Sequence, residues 1–166
     1  MISLFLKVVM MISAAVDLSH SIEPFSPHFS PEQRLEYAGY MVVAGEQYGI
    51  DPYLIAGVMW HESDFNNLPT NATNDTGLMQ VHWQRLSSNE HWLDGITKKD
   101  LLDPRINIFA GVQELAHMRE FCASQHHHGH NYWAHLKWGV VVGSRSYDLS
   151  ILRQYEQLRK RLRSTS

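Results

Sequence analysis

Glu62 falls four residues after Val58, on the same face of a helix whose apolar positions are Leu54, Ile55, Val58 and Met59. A carboxyl group there is partly desolvated, and it lies near the C-terminal end of its helix, where the macrodipole disfavours negative charge. Both effects raise a carboxyl pKa. A carboxyl that stays protonated near neutral pH suits general acid catalysis of glycosidic bond cleavage, because the leaving oxygen must receive a proton as the bond breaks. Taken alone, a glutamate at a helix end more often forms a salt bridge or reaches solvent. His61 is adjacent but about 100° around the helix, so the two side chains are not expected to share a face. Among the eleven histidines, His126, His127, His128 and His130 stand close enough to hold a transition metal. No group of cysteines or carboxylates accompanies them, and the expectation is an exposed loop, with no resident metal and no cofactor.

The elements that must position Glu62 have clear start signals. Ser30-Pro31-Glu32-Gln33 begins a helix, with Ser30 as N-cap, Pro31 in the first turn and Gln33 completing a capping box. Leu35, Ala38, Met41, Val42 and Tyr48 recur at helical spacing until Gly49. Asp51-Pro52 opens the helix that carries Glu62, and Asp103-Pro104 opens a third, with Ile108, Val112, Leu115 and Met118 facing inward and Gly111 allowing a close neighbour. Residues 66–76 are rich in Asn, Thr, Pro and Asp and read as a loop. A helix with Trp133, Leu136 and Val140 follows the histidine cluster, and the last runs from about Tyr147 through Leu152, Tyr155, Leu158 and Leu162. The stretch from His20 to Phe29, with two prolines and no period, reads as an extended lead-in. The fold expected is mainly α, with a small β-excursion after the Glu62 helix.

With 166 residues, 44% of them hydrophobic, the chain is long enough for one domain with a real core. We assign residues 30–166 to it and 1–29 to a leader and lead-in. A net charge of −3 gives no global field for a polyanion, so nucleic acid is not an expected partner. The charge is uneven. From Arg145 onward, six basic residues face Asp148 and Glu156, so this tail carries +4 and the remainder −7. A basic finish suits the macrodipole of a terminal helix. Cys122 is the single cysteine, so no intramolecular disulfide can form; it continues the apolar stripe of its helix as a structural thiol. Lys7 followed by Val8 to Val16 resembles a signal peptide cut after Ala15, the alternative being a packed N-terminal segment.

Glu62-Ser63-Asp64-Phe65-Asn66, then Gly77-Leu78-Met79-Gln80, then Asp103-Pro104-Arg105-Ile106-Asn107-Ile108 with Gly111, stand in the order of the soluble lytic transglycosylase domain, which this chain resembles from about Glu32 to Leu158. The entry Tyr48-Gly49-Ile50-Asp51-Pro52 is similar as well. The resemblance implies a lysozyme-like fold, with Glu62 as catalytic acid and base and Ser63 holding the site. It makes Gly77, Leu78, Met79 and Gln80 the wall of a sugar-binding groove, where glycine lets a ligand approach closely. His82 and Trp83 depart from the family pattern. His82 is placed with the substrate-binding residues, as is Trp138, whereas Trp83 fits packing or stacking equally. Asn107 and Gly111 are implied to be structural.

The resemblance also implies the reaction: cleavage of the β-1,4 bond between N-acetylmuramic acid and N-acetylglucosamine in peptidoglycan, with closure of a 1,6-anhydro ring. The implied enzyme is a periplasmic or secreted monomer that meets glycan strands and makes no stable membrane insertion as a mature domain. One departure bears on activity. Where the family has a tyrosine and an asparagine facing the glutamate, Ala134-His135-Leu136-Lys137 places Leu136 and Lys137. A cation at Lys137 would lower the Glu62 pKa and oppose acid catalysis, unless Tyr132 or Tyr147 supplies the hydroxyl. The alternatives are a non-catalytic glycan-binding module and a hydrolase similar to goose-type lysozymes. In the latter Asp64 or, better placed, Asp75 would activate water, although an Asx turn also accounts for Asp75.

Overall fold

In the computed structural model, residues 2–83, 95–124 and 145–165 are described. Helix α1 spans Ile2–Ile22, α2 Pro31–Tyr48, α3 Pro52–Ser63, α4 Pro104–Ser124 and α5 Arg145–Thr165. Two short strands, β1 (Asp75–Thr76) and β2 (Val81–His82), form an antiparallel hairpin between α3 and α4 with Asp75 opposite His82. The architecture is therefore mainly α, with the β-excursion where the loop pattern places it.

The helix starts are fixed by local hydrogen bonds. The Gln33 amide donates to Ser30 Oγ (3.2 Å) while the Ser30 amide donates to Gln33 Oε1 (2.9 Å), the two halves of a capping box. Gly49 ends α2 in the left-handed region at φ 66°. Asp51 caps α3 by accepting from the Tyr53 amide (2.9 Å), and its other oxygen accepts from the Tyr155 hydroxyl of α5 (3.1 Å). Asp103 does the same for α4 through the amides of Arg105 and Ile106.

Helix α3 is the axis of the core. Every residue from Tyr53 to Met59 is buried, not only the face bearing Leu54, Ile55, Val58 and Met59. The reason is enclosure: α1, α2 and α5 all pack on it, and a helix surrounded by protein is apolar all round. Gly57 permits the closest of these approaches, since a Cβ there would stand 3.3 Å from the Tyr155 backbone nitrogen. His61, beside the end of α3, joins Ser150 of α5 (Nδ1 to Oγ, 3.0 Å).

Two local expectations differ from the fold. Leu35 is 44% exposed, because α2 meets its neighbours through Ala38, Met41, Val42 and Gly45. The stretch from His20 is not extended: α1 continues to Ile22, a 3-10 turn covers Glu23–Phe25, and Leu18, Ile22 and Phe29 are buried. Phe25 stacks on Trp60 of α3 with ring centroids 4.0 Å apart. Tertiary packing of Leu18 and Ile22 holds this helix in the absence of a sequence period, and the prolines act only after it, in the 3-10 turn and the bend beyond.

Candidate functional site

Helix α3 presents Glu62 on its last turn, partly buried, and the chain then turns sharply. Asp64 (φ 49°) and Phe65 (φ 60°) are consecutive non-glycine residues in the left-handed region, a conformation that costs about 1–3 kcal/mol per residue unless the surroundings enforce it. Here they do. Phe65 is fully buried among Trp60 and Phe29, its carbonyl oxygen lies 3.0 Å from His28 Nε2, and Asn66 Nδ2 donates back to the carbonyls of Ser63 (2.9 Å) and Asp64 (3.1 Å). The carbonyls of Ser63 and Asp64 are thus satisfied, and the backbone that carries the glutamate is a fixed corner.

Ser63 ties this corner to the wall. Its buried hydroxyl lies 2.7 Å from the Leu78 carbonyl and 3.0 Å from that of Met59. One bond therefore links the residue after Glu62 to the turn Gly77–Gln80. Asn107 holds that turn from the other side. It is completely buried, accepts from the Met79 amide (2.8 Å) and donates to the carbonyls of Thr76 (2.8 Å) and Leu101 (2.9 Å). Helix α4 is thereby fastened to the Gly77–Gln80 turn, and through Ser63 to the Glu62 helix.

The reason for glycine at position 77 is internal. Gly77 has φ +79°, and a Cβ there would lie 2.2 Å from Asn107 Nδ2 and 2.7 Å from the Leu101 carbonyl oxygen. Gly111 likewise leaves room for Met79, whose Sδ would be 2.7 Å from an added Cβ. Leu78 and Met79 bury their side chains in the core, and their backbone is engaged there too, the Leu78 carbonyl by Ser63 and the Met79 amide by Asn107. Gln80 is partly exposed, held at φ 45° by its side-chain amide donating to the Gly77 carbonyl (2.8 Å) and by accepting from Asn71 (3.2 Å).

On the hairpin, Asp75 and His82 pair across the strands (Oδ1 to Nδ1, 2.9 Å). Asp75 also accepts from the Thr73 hydroxyl and from Asn71 (3.3 Å). Partial burial pushes the Asp75 carboxyl up, but the bonds from Thr73, His82 and Asn71 outweigh it and hold the group below its ordinary range. A carboxylate so occupied is a poor water-activating base. The Asx turn in this loop belongs to Asn71, whose Oδ1 accepts from the amides of Thr73 and Asp75. Asp64 is exposed in the bend after α3. Since the folded pKa of Asp75 is lowered, its contribution to stability is complete above the unfolded carboxyl value, near 3.8, and is lost as pH falls below it. The stability gap between wild type and Asp75→Asn should therefore be constant near neutrality and shrink below about pH 4, as urea unfolding at a series of pH values will show.

Trp83 packs rather than projecting: its indole nitrogen donates to the Ile96 carbonyl (3.4 Å) and Lys98 sits over the ring at 4.9 Å. Glu62, Ser63, Gly77, Leu78, Met79, Gln80 and His82 thus lie on one corner-and-wall arrangement. Trp138, with Tyr132, Leu136, Lys137 and the cluster from His126 to His130, lies outside the described residues, as do the side chains of Met118, Cys122 and Tyr147. The motif implies a structural Asn107 but not its partners on the wall; the only sequence signal for them is a polar residue between Ile106 and Ile108 on an inward-facing helix.

A family model described as the transglycosylase SLT domain matches residues 39–135. Curated relatives carry the name membrane-bound lytic murein transglycosylase C. The protein from Mannheimia succiniciproducens is 36% identical over 99 residues, 57% of this chain and 28% of the relative. That from Actinobacillus succinogenes is 34% identical over 99 residues, 57% and 27% of the two chains. That from Histophilus somni is 38% identical over 81 residues, 46% and 22%. The matched segment is thus roughly a quarter of these relatives' length. No solved structure matches significantly.

Proposed function

The chain belongs to the transglycosylase SLT domain family, and from that premise we propose that it is a peptidoglycan lytic transglycosylase with Glu62 as its acid and base. The observation that carries this reading is the Ser63 to Leu78 bond, which fixes the Glu62 corner against the Gly77–Gln80 wall. Glu62 protonates the glycosidic oxygen as the bond to C1 of the muramyl residue breaks. The resulting carboxylate then takes the proton from the muramyl C6 hydroxyl, and that oxygen bonds to C1. The products are a free 4-hydroxyl on one side and a 1,6-anhydro ring on the other, with no water consumed.

An intramolecular nucleophile replaces the second carboxylate that an inverting glycosidase needs. This agrees with Asp75 being fully engaged by its neighbours. Gln80 and His82, the partly exposed side chains of the wall, contact the sugars. The glutamate and the wall come from a single chain, which fits a monomer, and the substrate places the enzyme in the periplasm or the outer envelope. Mass spectrometry of digested wall tests the reading. Anhydromuramyl ends are expected; reducing ends alone would make the protein a hydrolase, and binding without soluble fragments would make it a binding module.

A further inference from the structure

We infer that Asp75 is a positioning residue for His82: it holds the imidazole in the tautomer with the proton on Nδ1, so that Nε2 is offered beside the Gly77–Gln80 turn as a hydrogen-bond acceptor for an O–H or N–H of the glycan. The two side chains leave the hairpin on one face. Asp75 stands opposite His82 and Thr76 opposite Val81, and strand alternation buries the second pair while leaving the first half-buried. His82 Nδ1 lies 2.9 Å from Asp75 Oδ1. The other ring nitrogen, Nε2, has no hydrogen-bond partner among the described residues and is not one of the polar atoms that the fold shuts off from solvent. With 32% of the side chain exposed, that edge of the ring is the one a ligand can meet.

The protons of this cluster can be placed from the backbone outward. Asn71 Oδ1 is fixed by accepting from the amides of Thr73 and Asp75, both at 2.9 Å. Its Nδ2 must then serve Asp75 Oδ2 (3.3 Å) and Gln80 Oε1 (3.2 Å). Gln80 agrees, because its Nε2 is the end that meets the Gly77 carbonyl (2.8 Å), and a carbonyl can only accept. Asp75 Oδ2 therefore takes a donor from Asn71, and the Thr73 hydroxyl besides. Partial burial opposes ionisation of Asp75, but the bonds from Thr73, His82 and Asn71 outweigh it, and the group is a carboxylate at neutral pH. A carboxylate accepts and never donates, so the nitrogen that meets its Oδ1 must carry a proton. The neutral ring is thus the Nδ1–H form, with its lone pair on Nε2.

The consequence is selection by polarity. At Nε2 a sugar hydroxyl or an acetamido N–H finds an acceptor, whereas a carbonyl or carboxylate oxygen meets a lone pair. A histidine with no such neighbour would interchange its tautomers and offer Nε2 as a donor as well. Asp75 removes that freedom from a side chain that stands two residues after Gln80 and is joined to it through Asn71. That the ligand is a glycan rests on the proposed function; the tautomer rests on the hydrogen bonds alone.

Nitrogen NMR of the isotope-labelled full chain tests this, since a protonated and an unprotonated ring nitrogen resonate far apart. At about pH 8, above the ordinary histidine range, wild-type His82 should carry its proton on Nδ1 and none on Nε2. In Asp75→Asn the pattern should invert. Asn71 and Thr73 still donate, so the amide at position 75 turns its oxygen to them and its NH2 to the ring, and the ring proton moves to Nε2. Titration with N-acetylglucosamine oligomers should shift the wild-type Nε2 resonance, and Asp75→Asn should raise their Kd about tenfold or more, the usual effect of facing one donor with another. In a His82→Gln background, where the side-chain amide can turn either way, Asp75→Asn should raise Kd no further. Glucose oligomers separate the two sugar donors: a loss shared with them marks a hydroxyl, and a loss confined to the acetylated sugars marks the acetamido N–H. A wild-type ring protonated on Nε2, or on both nitrogens at that pH, overturns the proposal, and this spectrum needs no variant to fold. An equal rise in Kd with and without His82 also overturns it, because Asp75 would then act through the loop and not through the ring. The tautomer is read without ligand, so the expected inversion in a protein that binds no glycan would remove the proposed function and leave Asp75 as the residue that sets the ring.

Discussion

Glu62→Gln is expected to lower release of soluble muropeptides by about 10²–10⁴-fold, the usual contribution of a positioned acid and base. Glutamine keeps the length and hydrogen-bonding shape of the side chain but has no proton to give. Wall binding should persist, because the Gly77–Gln80 turn is held by Ser63 and Asn107. Glu62→Asp keeps the acid but withdraws it by one methylene. The Asp64 and Phe65 backbone is locked, so the corner cannot follow. A displacement of about 1 Å can itself cost on the order of 10²-fold. Retained binding with lost release separates an acid role from a purely structural one. Equal release by wild type and Glu62→Gln would overturn the assignment.

The parts of this fold that are legible in the sequence are those fixed by short-range chemistry. Ser30, Asp51 and Asp103 each act on amides two or three residues away, so three helix starts can be read from a few letters. Gly49 is similar. The site's glutamate is legible because a charge on an apolar helix face breaks a pattern. Its supports are not. Ser63 meets Leu78 across 15 residues and Asn107 meets Thr76 across 31, and no local rule specifies a partner at that range. The same limit explains Gly77, whose glycine reads equally well as room for a ligand; only the fold shows Asn107 occupying the space where a Cβ would stand. Helix α1 escapes a sequence reading for a related reason. Its second half is held by contacts with α2, α3 and α5 and not by its own periodicity.

Asn107→Ala is the substitution outside the reacting group with the largest expected effect. It removes three hydrogen bonds at once and leaves the Met79 amide and the carbonyls of Thr76 and Leu101 without that partner in a fully buried site. Each orphaned buried group costs about 1–3 kcal/mol, which places the total on the order of 3–5 kcal/mol after partial relaxation. For a chain of this size that is about 10 °C or more in Tm. Gly77→Ala attacks the same joint from the other side, through positive φ and a clash with the Asn107 side chain. The two are predicted to be strongly non-additive. Removing the Asn107 amide clears most of the space into which the methyl group added by Gly77→Ala would project, so the double variant should lose less stability than the sum of the singles, retaining the φ penalty of the second change and its contact with the Leu101 carbonyl oxygen. A thermal-unfolding double-mutant cycle measures this coupling. Simple additivity would mean that Gly77 is required by its backbone conformation and by the Leu101 carbonyl, and that the turn is not braced through Asn107 in the way the hydrogen bonds indicate.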